Sequence, residues 1–275
     1  MTQPAVFSSR NALVVRRFRR NRPAMVSLVV LSLLFVGCYA LPSVLPWSYT
    51  DLDYYALQQP PSTSHWFGTN ALGQDLFAMT LRGMQKSMLI GLCVALISTA
   101  IAATVGSVAG YFGGWIDDVL MRITEFFQTI PQLAMAVVLV AIFTPSLLSI
   151  VTAIALVSWP PVARLVRAEV LSLREREFVE AAAVLGRPTH LILFDEILPN
   201  ALPPVIVTAT LMIATAILTE AALSFLGLGD RNFMSWGFMI GAARSMLREA
   251  PWLSVMPGLS ILVTVLAINL VGEGL

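Results

Sequence analysis

Lysine is almost missing from this sequence. Lys86 is the only one in 275 residues, and charged residues make up 12% of the chain, about half the share of an ordinary soluble domain. A lone lysine at this position excludes a phosphate-cradling P-loop. That loop needs glycine directly before its lysine and again six positions before it, and Gln85 and Thr80 stand there instead. The chain is therefore expected not to be an enzyme: no catalytic residue, bound cofactor or nucleic-acid partner is anticipated. Any ATP and Mg that drive it would sit on other subunits. Histidine is equally scarce. His65 and His190 are far apart, so a metal site built on them is not expected. The two cysteines, Cys38 and Cys93, lie inside apolar runs with no C-x-x-C spacing, and read as small buried hydrophobes.

What the chain has in abundance is apolar sequence, 57% by composition. Six runs stand out, at about 24–45, 87–110, 119–143, 146–163, 203–228 and 252–271. Each approaches the ~20 residues that cross a bilayer as a helix, the form that satisfies its own backbone polar groups. The expected fold class is an all-α polytopic membrane protein with six transmembrane helices. Its expected parts are a basic N-terminal segment, 1–23, and a transmembrane domain, 24–275. Pro160 and Pro161 are expected to break or kink the fourth run. The basic residues before the first run, and Cys38 after "LLFVG", also resemble a lipoprotein signal. The run continues past Cys38 to about Leu45, which favours a retained first helix.

Orientation follows from Lys and Arg. With the N-terminus inside, twelve of the 17 basic residues fall on the inner side, among them Arg10, Arg16, Arg17, Arg164, Arg174 and Arg187. Five fall outside. Both termini are thus expected in the cytoplasm, with a cytoplasmic loop at 164–202 and an outer segment at 46–86.

That inner loop is well punctuated. "LREREFVEAAAVLG" (173–186) is rich in helix formers, Gly186 suits a left-handed C-cap, and Pro188 follows. Thr189 is expected to cap a second helix, Leu191–Leu198, closed by Pro199. From physics alone the element reads equally as a tidy connector, a docking site or a helix resting on lipid.

A resemblance decides between these. Glu180, Ala181, Ala182, Gly186, Leu198 and Pro199 match the EAA pattern of ABC importer permeases. "HWFGTNALGQDLF" (65–77), "YFGGWIDDVLMRITEFFQTIPQLAMAV" (111–137) and "EAALSFLGLG" (220–229) resemble the peptide/nickel group, and within it the C-type subunit of dipeptide and oligopeptide importers. The resemblance runs from about residue 10 to the end. It implies a type I ABC importer permease fold in a bacterial cytoplasmic (inner) membrane. It also implies a second homologous permease subunit, two ABC ATPase subunits docked on the EAA loop, and an extracytoplasmic substrate-binding protein. Peptide is the implied cargo, with nickel chelate, haem or an opine-like solute as alternatives. The chain departs from the pattern in places. Asn70 replaces the usual Asp, Gln74 the usual Arg, and Asp195-Glu196 a common Arg-His pair. "DRNFMSWG" lacks the usual prolines, and relatives usually carry a basic tail beyond "NLVGEGL".

Polar residues within spans are costly and mark candidate functional positions. Arg122, Glu125, Gln128 and Gln132, spaced 3, 3 and 4, are expected on one helical face. Thr208, Thr215 and Thr219 share another. Both faces are candidates to line a translocation path, with interhelical hydrogen bonding as the alternative. Asn269 reads as structural. Glu220 is expected to partner an arginine or backbone amides, and Glu180 to pair with Arg174, Arg176 or an ATPase. The aromatic-rich outer segment, with His65, Trp66, Phe67 and Gly68, is expected to meet a binding protein or the partner permease, or simply to anchor at the interface. An ion-coupled secondary transporter would show inverted repeats and broken helices; the sequence is expected to hold neither.

Overall fold

The computed structural model describes residues 18–275. Arg10, Arg16, Arg17 and most of the 1–23 segment lie outside the described residues. Among the described residues the chain is helical, with no strand beyond the single bridge between Thr69 and Asp75. Five helices are long and apolar enough to cross a membrane, and a sixth span results if one bent pair is counted as a unit. The helices are α1 (Arg22–Ala40), α2 (Leu76–Phe112), α3 (Gly114–Thr129), α4 (Gln132–Ile142), α5 (Leu147–Arg174), α6 (Glu177–Val184), α7 (Thr189–Leu228, with π-helical ends), α8 (Trp236–Ala243) and α9 (Trp252–Gly274). Their outer faces carry large exposed apolar residues such as Leu33, Leu96, Leu148 and Leu266, as a lipid-facing surface requires.

The centre is α2, α5 and α7, with α1 and α9 packed together on one flank. α2 and α5 run side by side in the same direction. Ser98 donates to the Ala155 carbonyl, Gly106 abuts Ala163 and Val166, and Gly110 abuts Arg167 and Val170. A Cβ at Gly106 would fall 2.5 Å from the Ala163 carbonyl oxygen, so only hydrogen fits there. This is the small-residue seam by which membrane helices approach closely. α5 and α3 are tied across it by Arg167, which forks onto both carboxylate oxygens of Asp117. Where α2 ends, at Gly113 (φ 64°), Arg174 donates to the Tyr111 carbonyl at 3.0 Å, a cation meeting the free carbonyls of a helix end.

Three expectations fail here. α5 does not break at Pro160-Pro161 but continues to Arg174. Trp159, Pro160, Val162 and Ala163 are buried while Pro161 is exposed, so packing of the buried face holds the helix through its two missing N–H groups. Pro199 does not close a helix, and Thr189 does not cap one: the N-cap is Pro188, and α7 runs on past Pro199, Pro203 and Pro204. The ring of Pro199 would clash with the Asp195 carbonyl in a regular α-turn. The widened π-turns at Ile192–Ile197 fall at that place. Finally, the span read at 119–143 is broken. α3 and α4 meet at 87°, because Pro131 lacks an amide and keeps Ile130 extended (φ −92°, ψ 131°).

Candidate functional site

The loop expected at 164–202 is mostly helix: 164–174 complete α5 and 189–202 begin α7. What protrudes is 175–188, built around α6. It lies at the end of the bundle where α2 and α5 finish, since Arg174 caps α2 there. α6 faces two ways. Val179 and Ala182, one turn apart, are buried in a cluster with Val166, Val170, Ile192, Leu193 and Ile197. Glu177, Glu180, Ala181 and Ala183 are exposed. So are Val184 and Leu185, at 88% and 85%. Gly186 then turns the chain in the left-handed region (φ 75°), with the Arg187 amide reaching back to the Ala182 carbonyl at 3.1 Å. Arg187 grips Glu196 and, at 2.6 Å, Asp195. Asp195 and Glu196 therefore hold the turn against the base of α7. The result is a rigid apolar knuckle, Val184-Leu185, with acidic neighbours and small alanines around it. Leu198 is half-buried and Pro199 exposed on the adjoining turn. Arg174 goes to carbonyls and to Glu175 at 4.0 Å rather than to Glu180.

The candidate path residues divide. Arg122 and Glu125 pair at 3.5 Å on an exposed face of α3, with Gln128 further along it. Gln132 leaves that face, because the break at Pro131 puts it on α4, where its amide donates to the Ser158 hydroxyl at 2.8 Å. The four do not form one stripe. Thr208, Thr215 and Thr219 each donate to a carbonyl of their own helix, and Thr215 is exposed. Asn269 is half-buried on α9.

The opposite end of the bundle holds the 41–75 segment and α8. His65 is buried, with Nδ1 at 2.8 Å from Asp75, the N-cap of α2, and Nε2 at 3.5 Å from Asp53. Phe67 packs edge-on against Phe77, and Gly68 is buried with a left-handed φ of 81°. Of the four residues expected to contact a partner, Trp66 alone is exposed; the other three build the segment that presents it. Trp252 donates from its indole to Thr69 at 3.2 Å and ties the segment to α9. The Asn70 amide donates to the Gln74 side-chain oxygen at 2.8 Å, a neutral pair.

Glu220 corrects another expectation. It has no arginine and no backbone amide. Two serine hydroxyls, Ser224 and Ser235, donate to one carboxyl oxygen at 2.7 and 2.6 Å. Nothing in the sequence spacing marks Ser235 as its partner, because the chain leaves the helix and returns between them. Asp117 and Arg167, 50 residues apart, were hidden for the same reason.

Residues 102–275 match the family model described as the binding-protein-dependent transport system inner membrane component, and residues 9–61 match the N-terminal TM domain of oligopeptide transport permease C. The chain belongs to this family of inner-membrane permeases. It is 48% identical to the oligopeptide transport system permease protein OppC of Mycobacterium tuberculosis (strain ATCC 25618 / H37Rv), over 98% of this chain and 94% of that protein. It is 39% identical to the dipeptide transport system permease protein DppC of Alkalihalophilus pseudofirmus, over 94% and 86%. Among solved structures, an inward-facing MetNI methionine ABC transporter superposes with a TM-score of 0.58 at 18% identity, covering 71% of this chain and 93% of that one. An amino acid ABC transporter gives 0.56 at 16% identity, covering 72% and 92%. The fold is that of an ABC importer permease. The 87° break between α3 and α4 overturns the expectation of unbroken helices; it is the family match that decides against a secondary transporter.

Proposed function

We propose that this chain is half of a heterodimeric pathway that imports di- or oligopeptides across a bacterial cytoplasmic membrane, powered by two ABC ATPase subunits that bind the ATP and Mg. Its near full-length identity to peptide permeases supports the cargo. The excess of arginine around α6 supports a cytoplasmic position for that helix and for both termini. The 46–86 segment, with Trp66, Tyr54 and Tyr55 exposed, then faces outward as the cap that meets an extracytoplasmic binding protein or the second permease.

One observation carries the mechanism. The knuckle Val184-Leu185 is the most exposed apolar feature of α6, yet its helix is fixed to the base of α7 by Val179, Ala182 and the Arg187 fork. An exposed apolar tip on a braced helix fits insertion into a groove of another protein. A force applied there is delivered to α5 and α7 rather than absorbed by a loose loop. ATP-driven closure of the ATPase pair thus rocks these helices between inward- and outward-facing arrangements. The exposed face carrying Arg122, Glu125 and Gln128, and the Thr215–Thr219 face, line the passage between the two permeases.

The test is gentle purification of the tagged chain from its own membrane, with mass spectrometry of what accompanies it. A second permease, P-loop ATPases and an exported binding protein holding peptide are expected. The chain alone, intact and free of ATPases, would return weight to an ion-driven transporter, and a binding protein holding a metal chelate or haem would replace the peptide cargo.

A further inference from the structure

Glu220 sits within α7, 2% exposed, and nothing in the coupling mechanism above uses it. One of its carboxyl oxygens takes both serine hydroxyls; the other has no hydrogen-bond partner. A half-satisfied carboxyl inside a span is costly, and a merely structural site would be better served by an apolar residue. Ser235 is the N-cap of α8: the same hydroxyl that donates to Glu220 accepts from the Phe238 amide. The carboxyl therefore lies at the positive end of α8 and holds it by its cap. The contact is reinforced by two glycines. A Cβ on Gly237 would fall 2.5 Å from the Ala221 Cα, and one on Gly241 2.6 Å from the Ser224 carbonyl oxygen, so α8 and α7 meet backbone to backbone.

α8 is also held by α2, because Trp236 donates from its amide to Ser87 and from its indole to the Thr80 carbonyl. α8 packs on α9 as well, through Leu253 and Ile261, so when α2 and α7 shift relative to each other the firmest of its attachments decides which helix it follows. α2 meets α8 through the Trp236 hydrogen bonds and the close approach of Gly83 to the Trp236 side chain, whereas α7 meets it backbone to backbone at Gly237 and Gly241 and grips its cap through the Glu220–Ser235 bond. α7 itself is a 40-residue helical run that begins beside α6. We infer that Glu220 is a positioning residue that fastens α8 to the far end of α7, so that motion imposed on the coupling element moves α8. α8 supplies Met234, Phe238, Met239 and Met246, from itself and its flanks, to an open cavity of about 300 Å³ that Asn70 and Met79 also line. Carrying α8 with α7 reshapes this cavity, beneath the segment proposed to meet the binding protein. The inference rests on the reading of α6 as the ATPase-docking helix.

The test uses the whole importer in proteoliposomes, with its binding protein and ATP. Glu220→Ala is expected to keep the ATPase subunits bound, yet to lower binding-protein stimulation of ATP hydrolysis at least fivefold and peptide uptake at least tenfold. Glu220→Gln retains an acceptor for both serines and is expected within threefold of the natural chain. Both hydroxyls meet one oxygen, so Ser224→Cys with Ser235→Cys, in a Cys38→Ala, Cys93→Ala background, is the pair chosen to bridge α7 to α8, with free-thiol titration showing that the bridge has formed. Oxidation is expected to restore stimulation to Glu220→Ala, and reduction to remove it. An assembled Glu220→Ala complex with full stimulation, or a formed bridge that restores nothing, overturns the inference. If Glu220→Ala does not assemble, the bridge in the otherwise natural chain decides: undiminished uptake supports a joint that travels as one body, and blocked uptake overturns it. A Gly186→Val complex that still loses uptake would leave the docking reading standing even if Glu220 proved neutral.

Discussion

At the scale of single residues, the knuckle depends on one backbone angle. Gly186 has φ 75°, and a Cβ there would touch nothing within 4 Å, so any cost of substitution comes from the backbone conformation alone. For an L-residue that cost is about 1 kcal/mol, less for asparagine and more for a β-branched side chain. Thermal unfolding of the purified complex should rank Gly186→Asn, Gly186→Ala and Gly186→Val in that order of increasing loss; equal losses would mean the turn relaxes. A second residue-scale prediction concerns Asp117 and Arg167. Their side chains are 13% and 33% exposed, between a surface and a buried pair. Removing either should cost about 2 kcal/mol, and removing both little more than one, since the first change already leaves its partner unpaired. A double-mutant cycle in detergent-solubilised protein measures this, and additive losses would contradict it. Gly186 was legible in the sequence because its cap signal is local, with Pro188 two residues on. Asp117–Arg167 and Glu220–Ser235 were not, because charge and hydroxyl partners brought together by folding leave no periodic trace.

At the scale of elements, the helices were largely readable and their interruptions were not. Apolar length located the spans, since lipid imposes it on every crossing segment. The prolines misled in both directions. Pro160 and Pro161 leave α5 continuous, because its buried face, with Trp159, Pro160, Val162 and Ala163, is packed along the bundle. Pro131 bends its span by 87°, at the junction of α3 and the short, largely exposed start of α4. The same residue type has opposite outcomes, decided by packing that sequence does not show. The stripe from Arg122 to Gln132 failed for that reason. The Gly106-x-x-x-Gly110 spacing is visible in the sequence, yet that it receives Ala163 to Val170 of α5 is not. Gly106→Leu should force α2 and α5 apart, costing about 2 kcal/mol or more by overpacking, and lower the yield of folded permease. Gly258, where a Cβ meets nothing within 4 Å, is the control: Gly258→Ala should leave yield unchanged. Equal yields for Gly106→Leu and the natural chain would show that the seam is not close-packed. For α6, Leu185→Cys should form a cross-link to an ATPase subunit with a short bifunctional reagent, whereas Tyr55→Cys, at the opposite end, should not.

At the scale of the whole molecule, the helices join two ends of one bundle. The braced knuckle lies where α2 and α5 finish; α8 and the 41–75 segment lie where α2 begins. α7 runs between them as a single helical rod. Such an arrangement suits a subunit that passes on a movement made elsewhere. The central claim is that the movement enters through the Gly186 knuckle. The most direct measurement is ATP-driven uptake of a labelled oligopeptide by proteoliposomes holding the complete importer, natural or carrying Gly186→Val, with the ATPase content of each complex determined in parallel. Uptake at least tenfold lower in a complex that retains its ATPases is the predicted result. Undiminished uptake with the ATPases equally bound would contradict it and leave α6 a connector between two spans.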